Sequence, residues 1–181
     1  MVLIHLADGF EEIEAISVID VLRRAEIEVK TVSIMGKKEV LGAHNITVIA
    51  DVLYEDVDYA GADMIILPGG GVGTQNLDKH TGLNEQLLLA VKQGKWVSAI
   101  CAAPTVLGRL GILKGKKATC YPGCEQALEG ADVSLPDSSI VDGKIITSRG
   151  PGTSLHFAFT IVEVLKGAEV ANTLRKQMII G

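Results

Sequence analysis

The chain has 181 residues, 48% of them hydrophobic, and a formal net charge of −5. That length fills one core and is short for two ordinary domains, so residues 1–181 are expected to form a single domain. The acidic balance, the lack of a basic run and an aromatic content of only 4% exclude a nucleic-acid footprint built on charge or on stacking.

No apolar run approaches the length of a membrane span, and residues 1 to 7 read as a strand, not as a cleavable leader. Val2-Leu3-Ile4-His5-Leu6-Ala7 is an apolar run closed by the Asp8-Gly9 turn. The helix that follows carries Ala15, Val18, Ile19, Leu22 and Ala25 at helical spacing, but Ile13, Ile16 and Val21 lie off that stripe. A helix with apolar residues on more than one face must cover something besides the sheet, and a second copy of the chain is the simplest partner. A homodimer is therefore expected.

Glu28 to Ile34 reads as the next strand, and Lys37 to Leu41 with Ile46 to Ile49 as a short hairpin. Asp63 to Leu67 is a fully apolar strand cut by Pro68 and by Gly69, Gly70, Gly71 and Gly73, which read as a loop, and Leu83 to Val91 reads as a helix. Trp96 to Ile100 is a strand and Ala102 to Leu110 a helix. Lys116 to Cys120 and Val133 to Leu135 are weaker strand candidates, Asp142-Gly143 marks a hairpin, and a last helix runs from a cap at Thr153 or Ser154 through Leu165. Strands alternating with helices predict an α/β fold with a mostly parallel sheet covered on both faces.

Cys101 falls on the corner where strand turns into helix. Such a corner demands small neighbours two residues to either side, and Ala99 and Ala103 supply them. Pro104 suits a first helical turn, whose amides have no intrahelical partner. A thiol at a helix N-terminus is expected to favour thiolate at neutral pH.

In an open parallel sheet ligands bind beyond the carboxyl ends of the strands, which puts Asp8 to Glu14, the Gly69–Gly73 loop, Cys101 and Ser148 to Thr153 at one edge. The glycine loop lacks the Gly-Lys-Ser/Thr ending of a phosphate loop and the spaced dinucleotide fingerprint. It offers unobstructed amides instead: that of Gly70 or Gly71, with that of Ala102, could form an oxyanion hole beside Cys101. Glu11, Glu12 and Glu14 all sit where carboxylates favour a helix dipole. The four histidines show no metal-ligand spacing, and Cys120 with Cys124 is a lone pair of cysteines, so neither a metal nor a cofactor is expected. Three cysteines, an odd number, argue against a disulfide framework and for a reducing, cytoplasmic setting.

Taken together, Asp8-Gly9-Phe10-Glu11-Glu12-Ile13-Glu14-Ala15, Leu67-Pro68-Gly69-Gly70-Gly71, Ala99-Ile100-Cys101-Ala102-Ala103-Pro104 and Thr147-Ser148-Arg149-Gly150-Pro151-Gly152-Thr153 resemble the DJ-1/ThiJ/PfpI superfamily, on its DJ-1-like branch. The resemblance spans essentially the whole chain. It implies a flavodoxin-like (class I glutamine amidotransferase-like) three-layer sandwich, a homodimer, and a strained cysteine at position 101 that receives a hydrogen bond from the protonated carboxyl of Glu14. Gly70 and Ala102 match the residues whose amides face that sulfur. Tyr121 stands where many such proteins carry a histidine, so a Cys-His dyad, and peptidase function with it, is not expected. His44 stands where the animal proteins carry an arginine, which makes Arg149, beside Ser148, and Arg24 the candidates for an anion pocket.

Two functional classes follow from the resemblance. One is a cofactor-independent enzyme on small α-oxoaldehydes, glyoxalase-like or deglycase-like, using Cys101 and Glu14. The other is an oxidative-stress sensor or protective chaperone in which peroxide converts Cys101 to a sulfinate, since a low-pKa accessible thiol suits that chemistry equally.

Overall fold

The computed structural model describes residues 1–133 and 137–180. In chain order its elements are β1 (Val2–Leu6), α1 (Glu12–Arg24), β2 (Val29–Ser33), β3 (Glu39–Leu41), β4 (Thr47–Ile49), β5 (Val52–Leu53), β6 (Met64–Leu67), α2 (Gly71–Lys79), α3 (Thr81–Lys92), β7 (Trp96–Ile100), α4 (Pro104–Arg109), β8 (Ser139–Asp142), β9 (Ile145–Ser148), α5 (Ser154–Lys166) and α6 (Ala168–Gln177). Seven strands form one sheet in the order β5-β2-β1-β6-β7-β9-β8. Within that sheet every pairing is parallel except that of β8 with β9, while β3 and β4 form a separate antiparallel pair.

The near-continuous apolar character of β1, β6 and β7 follows from burial on both faces. One face is covered by α1, α5 and α6 through Ala15, Val18, Leu22, Phe157, Val162 and Leu174; the other by α2, α3 and α4 through Leu77, Leu83, Leu87, Val106 and Leu107. This is the flavodoxin-like three-layer sandwich that the sequence resemblance implies. No helix among the described residues is long and apolar enough to cross a membrane.

Several elements depart from the sequence reading. Gly71 to Gly73 are the first turn of α2, not loop. Gly73 earns its place by packing: a Cβ there would lie 2.7 Å from the Phe10 backbone. The helix expected over Ala102–Leu110 begins at Pro104, because Cys101 to Ala103 form the turn. Lys116–Cys120 is not a strand: the Lys117 amide goes to Asp142 and the Thr119 amide to the Thr147 hydroxyl, leaving one isolated bridge, Lys117 to Asp132. The β8–β9 turn is centred on Gly143 and Lys144, one residue later than expected, since Asp142 still pairs with Ile145. The last helical stretch is broken by Gly167 (φ 92°) into α5 and α6. The strand expected over Val133–Leu135 involves residues 134 and 135, which lie outside the described residues.

α1 resolves the question of its extra apolar residues in two ways. Val21 is fully buried within the chain, whereas Ile13 is 55% and Ile16 43% exposed.

Candidate active site

The site lies where the carboxyl ends of β1, β6, β7 and β9 meet. Cys101 follows β7 directly and is pinned on both sides: its amide donates to Ser148 O (3.0 Å), and its carbonyl accepts from the Tyr121 amide (2.8 Å). Its φ is +65°, a left-handed backbone that costs a non-glycine residue free energy and persists only where the surroundings enforce it. The side chain is 8% exposed.

Glu14 reaches toward the thiol from the first turn of α1, near enough that each group shifts the titration of the other. Glu14 Oε2 accepts from the Gly69 amide at 2.8 Å, while Oε1 is buried with no protein hydrogen bond assigned to it. Gly69 makes this meeting possible. A Cβ at that position would lie 2.6 Å from both Cys101 Cβ and Glu14 Oε2, so thiol and carboxyl occupy the space a side chain would need. Sequence reading counted Gly69 only as a loop residue.

Burial pushes the Glu14 carboxyl up to about 7, against the bonds from Cys101 and the Gly69 amide, and the charge of Glu11 pushes it further. Burial, then the Glu14 carboxylate, push the Cys101 thiol up to about 12, while the Gly70 and Ala102 amides pull it down. The expected neutral-pH thiolate at a helix N-terminus is therefore corrected: α4 has six residues, and burial, with the neighbouring carboxyl second, outweighs the amides that favour a charged sulfur. Two negative charges this close exclude one another. The charge can rest on sulfur only while Glu14 holds a proton.

A raised carboxyl pKa has a stability consequence of definite sign. Protonated Glu14 favours the folded state below the usual glutamate value of 4.5, and that contribution is lost as pH rises through about 7, an effect of up to about 3 kcal/mol. Urea unfolding at pH 5 and pH 8 should show this loss in wild type and lack it in Glu14→Gln. Equal pH dependence in the two proteins would contradict it.

Of the two glycine amides offered by the sequence, Gly70 faces the thiol, with Ala102; Gly71 has no such bond to Cys101. Tyr121 lies beside Cys101 through its backbone, and its ring packs against Gly150, where a Cβ would be 3.2 Å from it. With Arg149, Pro151 and Thr153 it lines an open cavity of about 280 Å³. Ser148 is buried and structural: its hydroxyl bonds Ser138 O and the Thr153 hydroxyl (2.8 Å). Arg24 is not in this pocket. It sits at the far end of α1, roughly 15 Å from Glu14 along the helix, paired with Asp20 at 2.6 Å.

His44 comes to the site from the tip of the β3–β4 hairpin. Its amide donates to Glu12 Oε1 (2.6 Å), and its Nδ1 lies 2.8 Å from Glu12 Oε2 and 3.9 Å from Glu11 Oε1. Glu11 in turn is the N-cap of α1 and accepts the Glu14 amide at 2.8 Å. Glu11, Glu12 and His44 are, among the described residues, a group whose donor atoms are near enough to hold a metal ion, all within 4.8 Å of one another. Histidine spacing could not reveal it. Both Glu12 oxygens are already engaged by His44, however, so the group is satisfied internally.

A strained thiol at a strand-to-helix corner of a doubly covered parallel sheet, held against a buried carboxyl, defines an α/β sandwich of the cysteine-elbow class. The chain belongs to the DJ-1/PfpI family, whose profile matches residues 1–164. It is 39% identical to the zebrafish (Danio rerio) Parkinson disease protein 7 homolog over 98% of this chain and 96% of that one. It is 38% identical to the glutathione-independent glyoxalase DJR-1.2 of Caenorhabditis elegans, covering 93% and 89%. It matches the Arabidopsis thaliana DJ-1 homolog B at 40% identity over 94% of its own length but spans only 39% of that longer protein. Among solved structures, oxidized Toxoplasma gondii DJ-1 superposes with a TM-score of 0.94 at 36% identity, covering 98% of this chain and 97% of that one.

Proposed function

We propose that this protein is a cofactor-independent enzyme on small α-oxoaldehydes such as methylglyoxal, of the glyoxalase or deglycase kind. The observation that carries the reading is the raised, buried Glu14 carboxyl held against the strained Cys101 thiol. The glyoxalase named among its relatives supports it.

Cys101 sulfur adds to the aldehyde carbon, and the Glu14 proton passes to the new alkoxide, giving a hemithioacetal. The Glu14 carboxylate then takes the C1 hydrogen as a proton, leaving an enediolate, and returns it to C2, while the C1 hydroxyl proton passes to the C2 oxygen. The C2 ketone becomes an alcohol and C1 a thioester, with no net change in oxidation state. Water hydrolyses the thioester, releasing lactate and the free thiol. Gly70 and Ala102 amides stabilise oxyanion charge as it develops. One carboxyl serves as both acid and base here, so slow turnover is expected.

The deciding test is methylglyoxal loss with lactate formation, without glutathione, in wild type and Cys101→Ser. Activity in wild type that survives the substitution, or none in either, would overturn the reading. The second outcome would favour the alternative, a peroxide sensor or protective chaperone. There, one peroxide converts the thiol to a sulfenic acid and water, and a second gives the sulfinate and water. The amides aimed at the sulfur suit its new oxygens, and the similar Toxoplasma structure is an oxidized one. The unpaired cysteines suit a reducing compartment such as the cytoplasm.

We further infer a homodimer through α1 and the hairpin beside it. Ile13 and Ile16 are exposed on α1, and Ile49 on the hairpin is 69% exposed; large apolar residues left in solvent are what an interface would cover. Sedimentation velocity at micromolar concentration should give a dimer, and Ile13→Lys should shift it toward monomer. A monomeric wild type would sink the inference.

A further inference from the structure

We propose that Cys120 and Cys124 form a second redox site, a dithiol that peroxide closes into a disulfide across the turn between them, and that closure loosens the hold on Cys101. The proposal takes Cys101 as the reactive thiol of the site above, but closure itself is read by mass and does not depend on turnover.

Cys120-Tyr121-Pro122-Gly123-Cys124 folds back on itself. The Cys124 amide donates to the Tyr121 carbonyl at 3.0 Å, Gly123 has φ +95°, and a proline precedes it, which together define a type II turn. Such a turn reverses the chain and returns Cys124 toward the residue that leads into it. Cys120 is buried in the core beneath α2, α3 and α4, and Cys124, half-buried, packs against the same core. The thiols are near enough that Cys124 raises the titration of Cys120, as does Glu125, while Arg149 lowers it. The turn can also give. A Cβ at Gly123 would meet nothing within 4 Å, so the outer side is open to the small movement that brings two sulfurs to bonding distance. Cys101 belongs to the core on the opposite face of the sheet, with α1 and α5, and is not the partner that the fold offers Cys120.

The half-buried sulfur reacts first. The Cys124 thiolate attacks a peroxide oxygen: an S–O bond forms, the O–O bond breaks, and the departing hydroxide takes a proton to become water. Cys120 sulfur then attacks the sulfenic sulfur. An S–S bond forms, the S–O bond breaks, and the second hydroxide leaves as water with the Cys120 proton. Both thiols are oxidised and one peroxide is reduced to water. A small thiol such as glutathione reopens the bridge by exchange, so in a reducing compartment the closed state is transient.

Closure is transmitted through one peptide. The plane that begins at Cys120 carries the Tyr121 amide, which donates to the Cys101 carbonyl at 2.8 Å. That bond is one of the two that enforce the left-handed backbone of Cys101. Drawing Cys120 toward Cys124 tilts the plane, weakens the bond and lets Cys101 relax away from the Gly70 and Ala102 amides. Tyr121 and Pro122 also line the cavity of about 280 Å³, so the pocket wall moves with the turn.

The test treats wild type, Cys120→Ala and Cys124→Ala with hydrogen peroxide, blocks free thiols with iodoacetamide and weighs the peptide that carries positions 120 and 124. In wild type this peptide should lose two hydrogens, escape alkylation, and recover both thiols in dithiothreitol; neither variant should do so. Diamide, which makes disulfides without adding oxygen, then closes the pair for the second readout. Cys101 should alkylate several-fold more slowly in the closed protein than in the reduced one, with no such change in the two alanine variants. A bridge from Cys101 to either cysteine, a bridge between two chains, or oxygen added at Cys124 with no bridge would overturn the proposal. Closure that leaves the Cys101 rate unchanged would overturn the coupling. If the pair closes and slows Cys101 in a protein that does not turn over methylglyoxal, the enzyme reading fails and this one stands.

Discussion

Glu14→Gln is expected to lower methylglyoxal turnover by a hundredfold or more while leaving Cys101 at least as reactive toward iodoacetamide at neutral pH as in wild type. The two readouts part because the carboxyl plays two roles. As proton carrier it is, among the described residues, the titratable group held against the sulfur, and general acid–base catalysis contributes about 10²–10⁴-fold. As a neighbour of the thiol it raises the sulfur pKa whenever it is charged. Glutamine keeps a donor but can neither carry a proton nor acquire charge, so chemistry stops while the thiolate becomes easier to form. Turnover within a few fold of wild type would remove Glu14 from the mechanism. Loss of turnover together with loss of alkylation would mean that the thiol itself had been displaced.

Gly70→Ala should be the most damaging single methyl added to the site. Gly70 has φ +94°, and a Cβ there would run into the Gly9 carbonyl oxygen while lying 2.8 Å from the Glu11 amide nitrogen and 2.9 Å from the Phe10 carbonyl carbon. These are backbone atoms of the segment leading into α1 and cannot turn aside. Strain at positive φ and overpacking each cost about 1–3 kcal/mol, so the melting temperature should fall by roughly 5–15 °C. The same shift would withdraw an amide from Cys101 and push Glu11 away from Glu14. Circular dichroism melts would check the first effect and the rate of Cys101 alkylation the second. An unchanged melt would show that the loop is not as tightly held as the contacts imply.

The corner at Cys101 was legible because two signals coincide there: a short apolar strand run gives way to a helix, and Ala99 and Ala103 leave room for the turn. α2 was not legible, since a helix opening Gly-Val-Gly-Thr contradicts intrinsic propensity and forms because Gly73 fits against Phe10. The three glutamates of the first turn look alike in sequence and differ in place. Glu11 caps the helix, Glu12 binds a histidine 32 residues away, and Glu14 turns inward to the thiol. From residues alone all three suit the helix dipole, and the family motif was needed to choose among them. Lys116–Cys120 misled for the opposite reason: it has strand-like residues, but side chains from elsewhere take the amides that a ladder would have used.

The sheet ends on one side in the two residues of β5 and on the other in the four of β8. A border so short exposes few unpaired backbone groups and gives an incoming strand little to zip onto, whereas the five-residue strands β1, β2 and β7 lie inside the sheet. Copies of this molecule crowded together are thereby steered away from strand-to-strand polymerisation, and encounters between them are left to the helical faces.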